Sequence, residues 1–168
     1  MNYENKMIFD KDITIDMVRD LLNDIQKSAN ELNSNNYTDF AIICEEVYAA
    51  LLNCLWKCDF HIYSLEGKGT NVAVDLYDEK KKIAVQITTQ KNKWIDKINN
   101  TLGKMNKFKK KVVKIVFVFI SSNKLNDLDD IPTNIEIYNH ERILDEIKQK
   151  DNIIEAYHIL RLLFDVNR

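Results

Sequence analysis

Glycine and proline are scarce, with three Gly and one Pro in 168 residues. That composition excludes collagen-like, linker-rich and most low-complexity chains. No apolar run approaches the ~18 residues that a membrane-spanning helix needs. The opening MNYENKMIFDKD lacks a basic start followed by an apolar stretch, so it does not read as a signal peptide. Cys44, Cys54 and Cys58 form an odd set in a chain without a secretion signal, which argues against a disulfide framework and for a cytoplasmic location. Neither a P-loop nor a GxGxxG run occurs, against a nucleotide-driven motor or a dehydrogenase. No repeat and no linker divide the chain. What is present is ordinary for a globular protein: 45% hydrophobic and 30% charged residues. A chain of this length buries roughly two thirds of its unfolded surface, enough for a core without staples. A single domain over residues 1–168 is expected.

The net charge of −2 hides an asymmetry. Residues 1–90 carry −6, residues 91–114 carry +8, and residues 115–168 carry −4. The basic block is all lysine: Lys91, Lys93, Lys97, Lys104, Lys107, Lys109, Lys110, Lys111 and Lys114. A basic block in an acidic protein is a candidate footprint for a polyanion. Lysine meets phosphate as a point charge, whereas arginine reads guanine with two bonds, so the partner would be nucleic-acid backbone rather than sequence. A solvated helix end followed by a turn gives the same statistics.

The periodicity gives ten elements. Apolar positions from Thr14 to Leu32 follow helical spacing, with Asp12 or Thr14 as the cap, and a second helix runs from Thr38 to Lys57. FHIYSL (Phe60–Leu65), VAVDLYD (Val72–Asp78) and KIAVQITT (Lys82–Thr89) read as strands, the last two joined as a hairpin through Glu79–Lys81. Lys93 to Phe108 is helical, and Val112–Ile120 is apolar on both faces, as in a buried strand. Asn134–Tyr138 is a short strand, and Glu141–Lys148 and Asn152–Val166 are closing helices. The order is α-α-β-β-β-α-β-β-α-α, a mixed sheet flanked by helices in the α/β or α+β class.

On a helical wheel with Phe40 at zero, Ile43, Cys44, Val47, Leu51, Cys54, Leu55 and Cys58 fall within about 60°. Glu45 lies at about 140°, on the border of the apolar arc, while Glu46 near 240° points outward. Glu45 can therefore look toward the sheet, or it is a boundary carboxylate that snorkels to water. Asp75 sits inside an apolar strand, where a carboxylate is costly unless paired or metal-bound. Gln86 and Thr88 share one face of the next strand, and hairpin pairing could bring Gln86 beside Asp75. The alternative is that Asp75 faces solvent or caps a strand end. Asp78 reads as a turn residue.

Cys54, Cys58 and His61 have a spacing that permits zinc, but the thiols lie on the apolar arc and core packing explains them. His140 and His158 have no matched nucleophile, and a helix start or helix surface accounts for each. Trp56 and Trp94 read as packing anchors, with base stacking also open to Trp94.

Strand–Asp–turn–strand–Gln-x-Thr, after a Glu-bearing helix and before a Lys-bearing one, resembles the PD-(D/E)xK (restriction-endonuclease-like) nuclease superfamily. More narrowly it resembles the SMEK-type domain of bacterial conflict and anti-phage proteins. The resemblance rests on EEVYAALLN (Glu45–Asn53), NVAVDLYD (Asn71–Asp78), KIAVQITT (Lys82–Thr89), KINNTLGKM (Lys97–Met105) and VKIVFVFISSNK (Val113–Lys124). It implies a restriction-endonuclease-like mixed central sheet with an N-terminal helical pair. Residues 1–36 would form a helical extension, 37–124 a nuclease-like core, and 125–168 the C-terminal strand and helices. It also implies a catalytic set of Glu45, Asp75, Gln86 and Lys97, in which Glu45, Asp75 and Gln86 hold Mg²⁺ or Mn²⁺. Thr88 stands where the superfamily has its lysine; Lys97 is the best replacement, with Lys91 and Lys93 as rivals. Lys91, Lys93, Lys104, Lys107, Lys109, Lys110 and Lys111 would contact nucleic acid, in the first place the DNA backbone.

The function so implied is a metal-dependent nuclease with little sequence specificity, acting in anti-phage defence. The alternative is a catalytically inactive binding or interaction subunit of a multi-component system. Because the chain holds little beyond this domain, a homodimer or a separately encoded defence partner is expected, and no membrane.

Overall fold

Thr14 starts the first helix: its Oγ1 accepts the Met17 N–H at 3.4 Å, as a cap should. Helix α1 (Ile15–Glu31) then buries Val18, Leu21, Leu22 and Ile25, an i, i+3, i+4, i+7 stripe. The computed structural model describes residues 9–31, 37–63, 73–91, 93–121 and 131–165. Helix α2 (Tyr37–Trp56) is more apolar and more enclosed, with Phe40, Cys44, Val47, Tyr48, Leu51, Leu52 and Leu55 all buried. It ends at Lys57, whose positive φ of 52° turns the chain out. The Asn53 amide then clamps Phe60, accepting its N–H at 2.6 Å and donating to its carbonyl at 3.2 Å.

Strands β1 (His61–Ile62), β2 (Leu76–Asp78) and β3 (Ile83–Thr88) form an antiparallel meander. Helix α3 (Trp94–Met105) crosses over to β4 (Lys114–Phe119), which runs parallel to β3, and β5 (Ile135–Tyr138) runs parallel to β4. Helices α4 (His140–Gln149) and α5 (Ile153–Leu163) close the described chain. The sheet order is β1-β2-β3-β4-β5. Among the described residues, five α-helices and a mixed five-stranded sheet thus stand in the predicted order.

Side-chain alternation sorts the strands into two faces. Leu76, Val85, Val116, Val118 and Tyr138 join the core built by α1, α2, α4 and α5. Ile115, Phe117, Phe119, Ile135 and Ile137 face the opposite way and are covered by α3 through Ile98, Trp94 and Leu102. Among the described residues, four helices therefore lie on one face and one on the other.

The predicted strands are shortened. Within VAVDLYD the described strand starts at Leu76, and Val72 lies outside the described residues; Asp75 sits in a bend, where its N–H still donates to Val85 O at 2.9 Å while its carboxylate accepts the Ile87 N–H. FHIYSL narrows to His61–Ile62, and its residues from 64 onward lie outside the described set. The helix expected to reach Phe108 stops at Met105, because the Phe108 ring packs against Tyr63 and Tyr77 at 5.0 and 5.5 Å. Asp78, expected in a turn, is the last residue of β2, paired with Ile83; its buried carboxylate caps the turn that follows and accepts N–H bonds from Asp59, Lys80 and Lys81 at 2.7–2.8 Å. Burial opposes its ionisation, but these bonds outweigh that and hold the carboxyl below its ordinary value.

Gly103 lies inside α3, and a Cβ there would meet nothing within 4 Å. Glycine in a helix interior costs about 1 kcal/mol relative to alanine. Gly103→Ala should therefore raise stability by about that amount, read as a higher urea midpoint with unchanged slope.

Candidate functional site

The ends of β3 and β4 meet where Ile120 N–H donates to Thr88 O at 2.9 Å. Just beyond this carboxyl end, where open α/β sheets commonly bind ligands, is a cleft of about 200 Å³. α2 supplies Phe40, Ala41, Cys44 and Glu45 to its wall, and β3 and its extension supply Gln86, Ile87, Thr88 and Thr89. Asp75 enters from the bend before β2, Lys97 from the first turn of α3, and Ile120 from the end of β4.

Asp75 Oδ2 accepts the Ile87 N–H and the Gln86 Nε2, each at 2.7 Å. Gln86 Nε2 also donates to Ile87 O at 3.1 Å. This fixes both side chains: Asp75 Oδ1 and Gln86 Oε1 are left without a donor among the described residues. The pairing explains why a carboxylate is tolerated at this depth. Burial still pushes the Asp75 carboxyl up to about 7; the Ile87 bond works against this, Glu45 adds to it, and Lys97 opposes it. Lys97 is half-buried, and burial moves it below the ordinary lysine value; the pull of Asp75 only partly offsets this, and Lys104 lowers it further.

Glu45 lines the cleft, the first of the two orientations its border position left open, while Glu46 beside it is exposed, as its outward position predicts. Of the three lysines considered, Lys97 lines the cleft; Lys91 and Lys93 are exposed and stand outside its wall. Thr88 is buried, and its Oγ1 accepts the Gln90 N–H at 3.1 Å, a strand-ending turn. Lys104, Lys107, Lys109, Lys110 and Lys111 are exposed and follow α3 away from the cleft.

Two carboxylates and one amide oxygen can hold a hard divalent cation; the Lys97 ammonium group beside them is no ligand. The donor chemistry fits: one Asp75 oxygen is oriented by two donors, the other is open, and the neighbouring Glu45 charge disfavours ionisation unless a cation is near. Among the described residues, no group of three or more His, Cys, Asp or Glu is placed to hold a metal. Cys44, Cys54 and Cys58 are free thiols.

A larger cavity, about 430 Å³, lies between the sheet and helices α2 and α4, near the amino ends of β3, β4 and β5. Its carboxylates are already paired. Glu136 meets Lys114 at 2.7 Å, and Glu146 accepts from Trp56 Nε1 and Tyr138 Oη. The smaller cleft is the one with open acceptors.

Sequence reasoning missed a buried polar pair between α2 and α4. Tyr48 Oη and His140 Nε2 share a buried hydrogen bond, their rings stack at 6.1 Å, and burial pushes His140 down to about 4. His140 does start a helix, as expected, but nothing local announced a partner 92 residues away. Trp94 packs on Phe119 at 5.7 Å, and Trp56 packs on Tyr138 at 5.2 Å.

The sequence pattern of the SMEK domain matches residues 17–164. The chain belongs to the SMEK domain family. No curated protein matches it. The cleft of this SMEK domain lies wholly within the matched span. Among the described residues, no helix is long and apolar enough to cross a membrane.

The shifted Asp75 makes the domain's stability depend on pH. With its carboxyl raised from 3.8 to about 7, the folded state holds a proton that the unfolded chain has lost. Stability from this group is complete below pH 4 and falls as pH rises toward 7. His140, lowered from 6.5 to about 4, acts with opposite sign over nearly the same window. The difference between wild type and Asp75→Asn isolates the first effect. In metal-free thermal melts the variant should gain on wild type from pH 4 to 7, by on the order of a few kcal/mol.

Proposed function

We propose that this SMEK domain is a divalent-metal-dependent phosphodiesterase of the PD-(D/E)xK type. It acts on DNA with little sequence preference, in the cytoplasm, as part of bacterial anti-phage defence. The observation that supports the reading is the convergence of Glu45, Asp75, Gln86 and Lys97, from four separate segments, on one cleft. Glu45 and Asp75 supply charge to a bound Mg²⁺ or Mn²⁺, and Gln86 Oε1 supplies a neutral oxygen. The metal, when bound, would polarise the phosphoryl oxygen and acidify a water. Ile87 N–H and Gln86 Nε2 hold the Asp75 carboxylate in place. Lys97, drawn toward Asp75 across the cleft, stabilises charge that develops on the scissile phosphate.

A second reading has a specific observation in its favour. The Thr88 hydroxyl, at the position where the superfamily has its lysine, is engaged by the Gln90 N–H. With Gln86 neutral as well, the domain would bind nucleic acid or a defence partner without cutting.

Nicking of supercoiled plasmid separates the two. The first reading expects cutting with Mg²⁺ or Mn²⁺, loss of it with chelator, and none by Asp75→Ala. Lys97→Met should cut ~10²–10³-fold more slowly, the scale for removing one electrostatic stabiliser. Cutting by Asp75→Ala at the wild-type rate would refute the assignment. No cutting, together with no calorimetric Mn²⁺ binding that depends on Glu45 and Asp75, selects the second reading.

A further inference from the structure

The lysine block does not fold into one surface. Lys91 and Lys93 stand beyond the carboxyl end of β3, whereas α3 runs back along the sheet and delivers Lys107–Lys111 to the amino end of β3 and β4. There the connector after α3 is pinned. Tyr77 Oη donates to Lys111 O at 2.6 Å, and Val113 N–H donates to Lys82 O at 2.8 Å. The Phe108 ring seats it against Tyr63 and Tyr77. Its backbone is thereby held against the β2–β3 turn, which carries Lys80 and Lys82 of its own. Two lysine runs from separate segments become one basic rim. Glu79 of the turn sits between Lys110 and Lys82, pairing with both.

The six residues of β3 separate this rim from the cleft, roughly 17 Å at strand rise. Lys97 and Lys104 lie two turns apart on α3, about 10 Å along one helix face. Lys97 lines the cleft and Lys104 points the way to the rim.

We propose that the Lys107–Lys111 connector and the β2–β3 turn form a second surface that grips the phosphate backbone of a nucleic-acid duplex outside the cleft. Lysine without arginine suits it to phosphate rather than to base edges. The choice of nucleic acid as the polyanion rests on the phosphodiesterase reading; the second surface itself does not. A duplex rises 3.4 Å per base pair, so one that reaches both places needs about five base pairs.

The test is fluorescence anisotropy of a labelled duplex of about 20 base pairs, with the whole chain in chelator so that no metal takes part. Binding should weaken with salt, by a slope of about −0.9 per phosphate neutralised. The double reversal Lys109→Glu/Lys111→Glu should weaken binding at least 10-fold and flatten that slope by about two. Lys91→Glu/Lys93→Glu should weaken it less. Glu79→Gln should tighten it a few-fold, a gain that misfolding cannot mimic. An unchanged affinity for the Lys109/Lys111 double variant, with a native melting curve, overturns the proposal. So does a loss confined to the Lys91/Lys93 variant, or displacement of the duplex by poly-glutamate at lower charge concentration than by unlabelled DNA, which would assign the rim to an acidic protein. Binding through this rim by a chain that never cuts overturns the phosphodiesterase reading alone. Cutting by a chain whose rim variants bind normally overturns the rim alone.

Discussion

Ile87 donates its backbone N–H to the carboxylate of Asp75 rather than to a main-chain carbonyl of the neighbouring strand, and the cleft depends on that 2.7 Å bond. An inner-strand amide left without an acceptor costs about 1–3 kcal/mol, so the substitution of side chain for main chain is stabilising where it occurs. It also orients the carboxylate, while the Asp75 N–H keeps a main-chain bond to Val85 O at 2.9 Å. Gln86, one residue back along β3, adds its amide to the same oxygen. One Asp75 oxygen thus belongs to the sheet, and the other is left to the cleft.

The unequal layers decide what meets that oxygen. Among the described residues, four helices cover one face of the sheet and α3 the other, and both layers contribute to the cleft at the carboxyl end of β3. Glu45 comes from the thick layer and Lys97 from the thin one, and both act on Asp75. Burial and the Glu45 charge favour a protonated Asp75, while Lys97 and the Ile87 bond favour the carboxylate. A site balanced in this way responds strongly to an added cation, because the cation removes the repulsion and the desolvation penalty together. The neutral Tyr48–His140 pair behind α2 adds no charge to that balance.

Polar groups elsewhere in the molecule are largely matched to one another. Asp78 is saturated by three backbone donors, and Glu146 by an indole, a phenol and an ammonium group. The larger cavity is therefore a place of internal pairing, and its volume alone says little about ligand binding. The lysines on the opposite rim differ, because they outnumber the acids beside them and most face water.

Helical and strand periodicity were enough to order the ten elements, to set Glu45 at the border of the apolar arc and Glu46 outside it, and to mark Asp75 as a carboxylate that is costly to bury unpaired. These are local properties: they follow from 3.6-residue and two-residue repeats and from the cost of burying charge. Strand ends were less legible, since Asp75 meets β3 through a side-chain bond that no propensity describes. The Tyr48–His140 pair was invisible for the same reason, being a contact across 92 residues. The lysine block read as one patch, but the direction of α3 splits it between two ends of the sheet, because a helix that connects parallel strands must carry the chain back to the start of the next one. Local repeats were thus sufficient to place candidate side chains on the arcs and faces of their own helices and strands. Which of them line one cleft, and which lysines stand together at the far end of the sheet, follows from packing across the sheet, which brings together side chains that no local repeat relates.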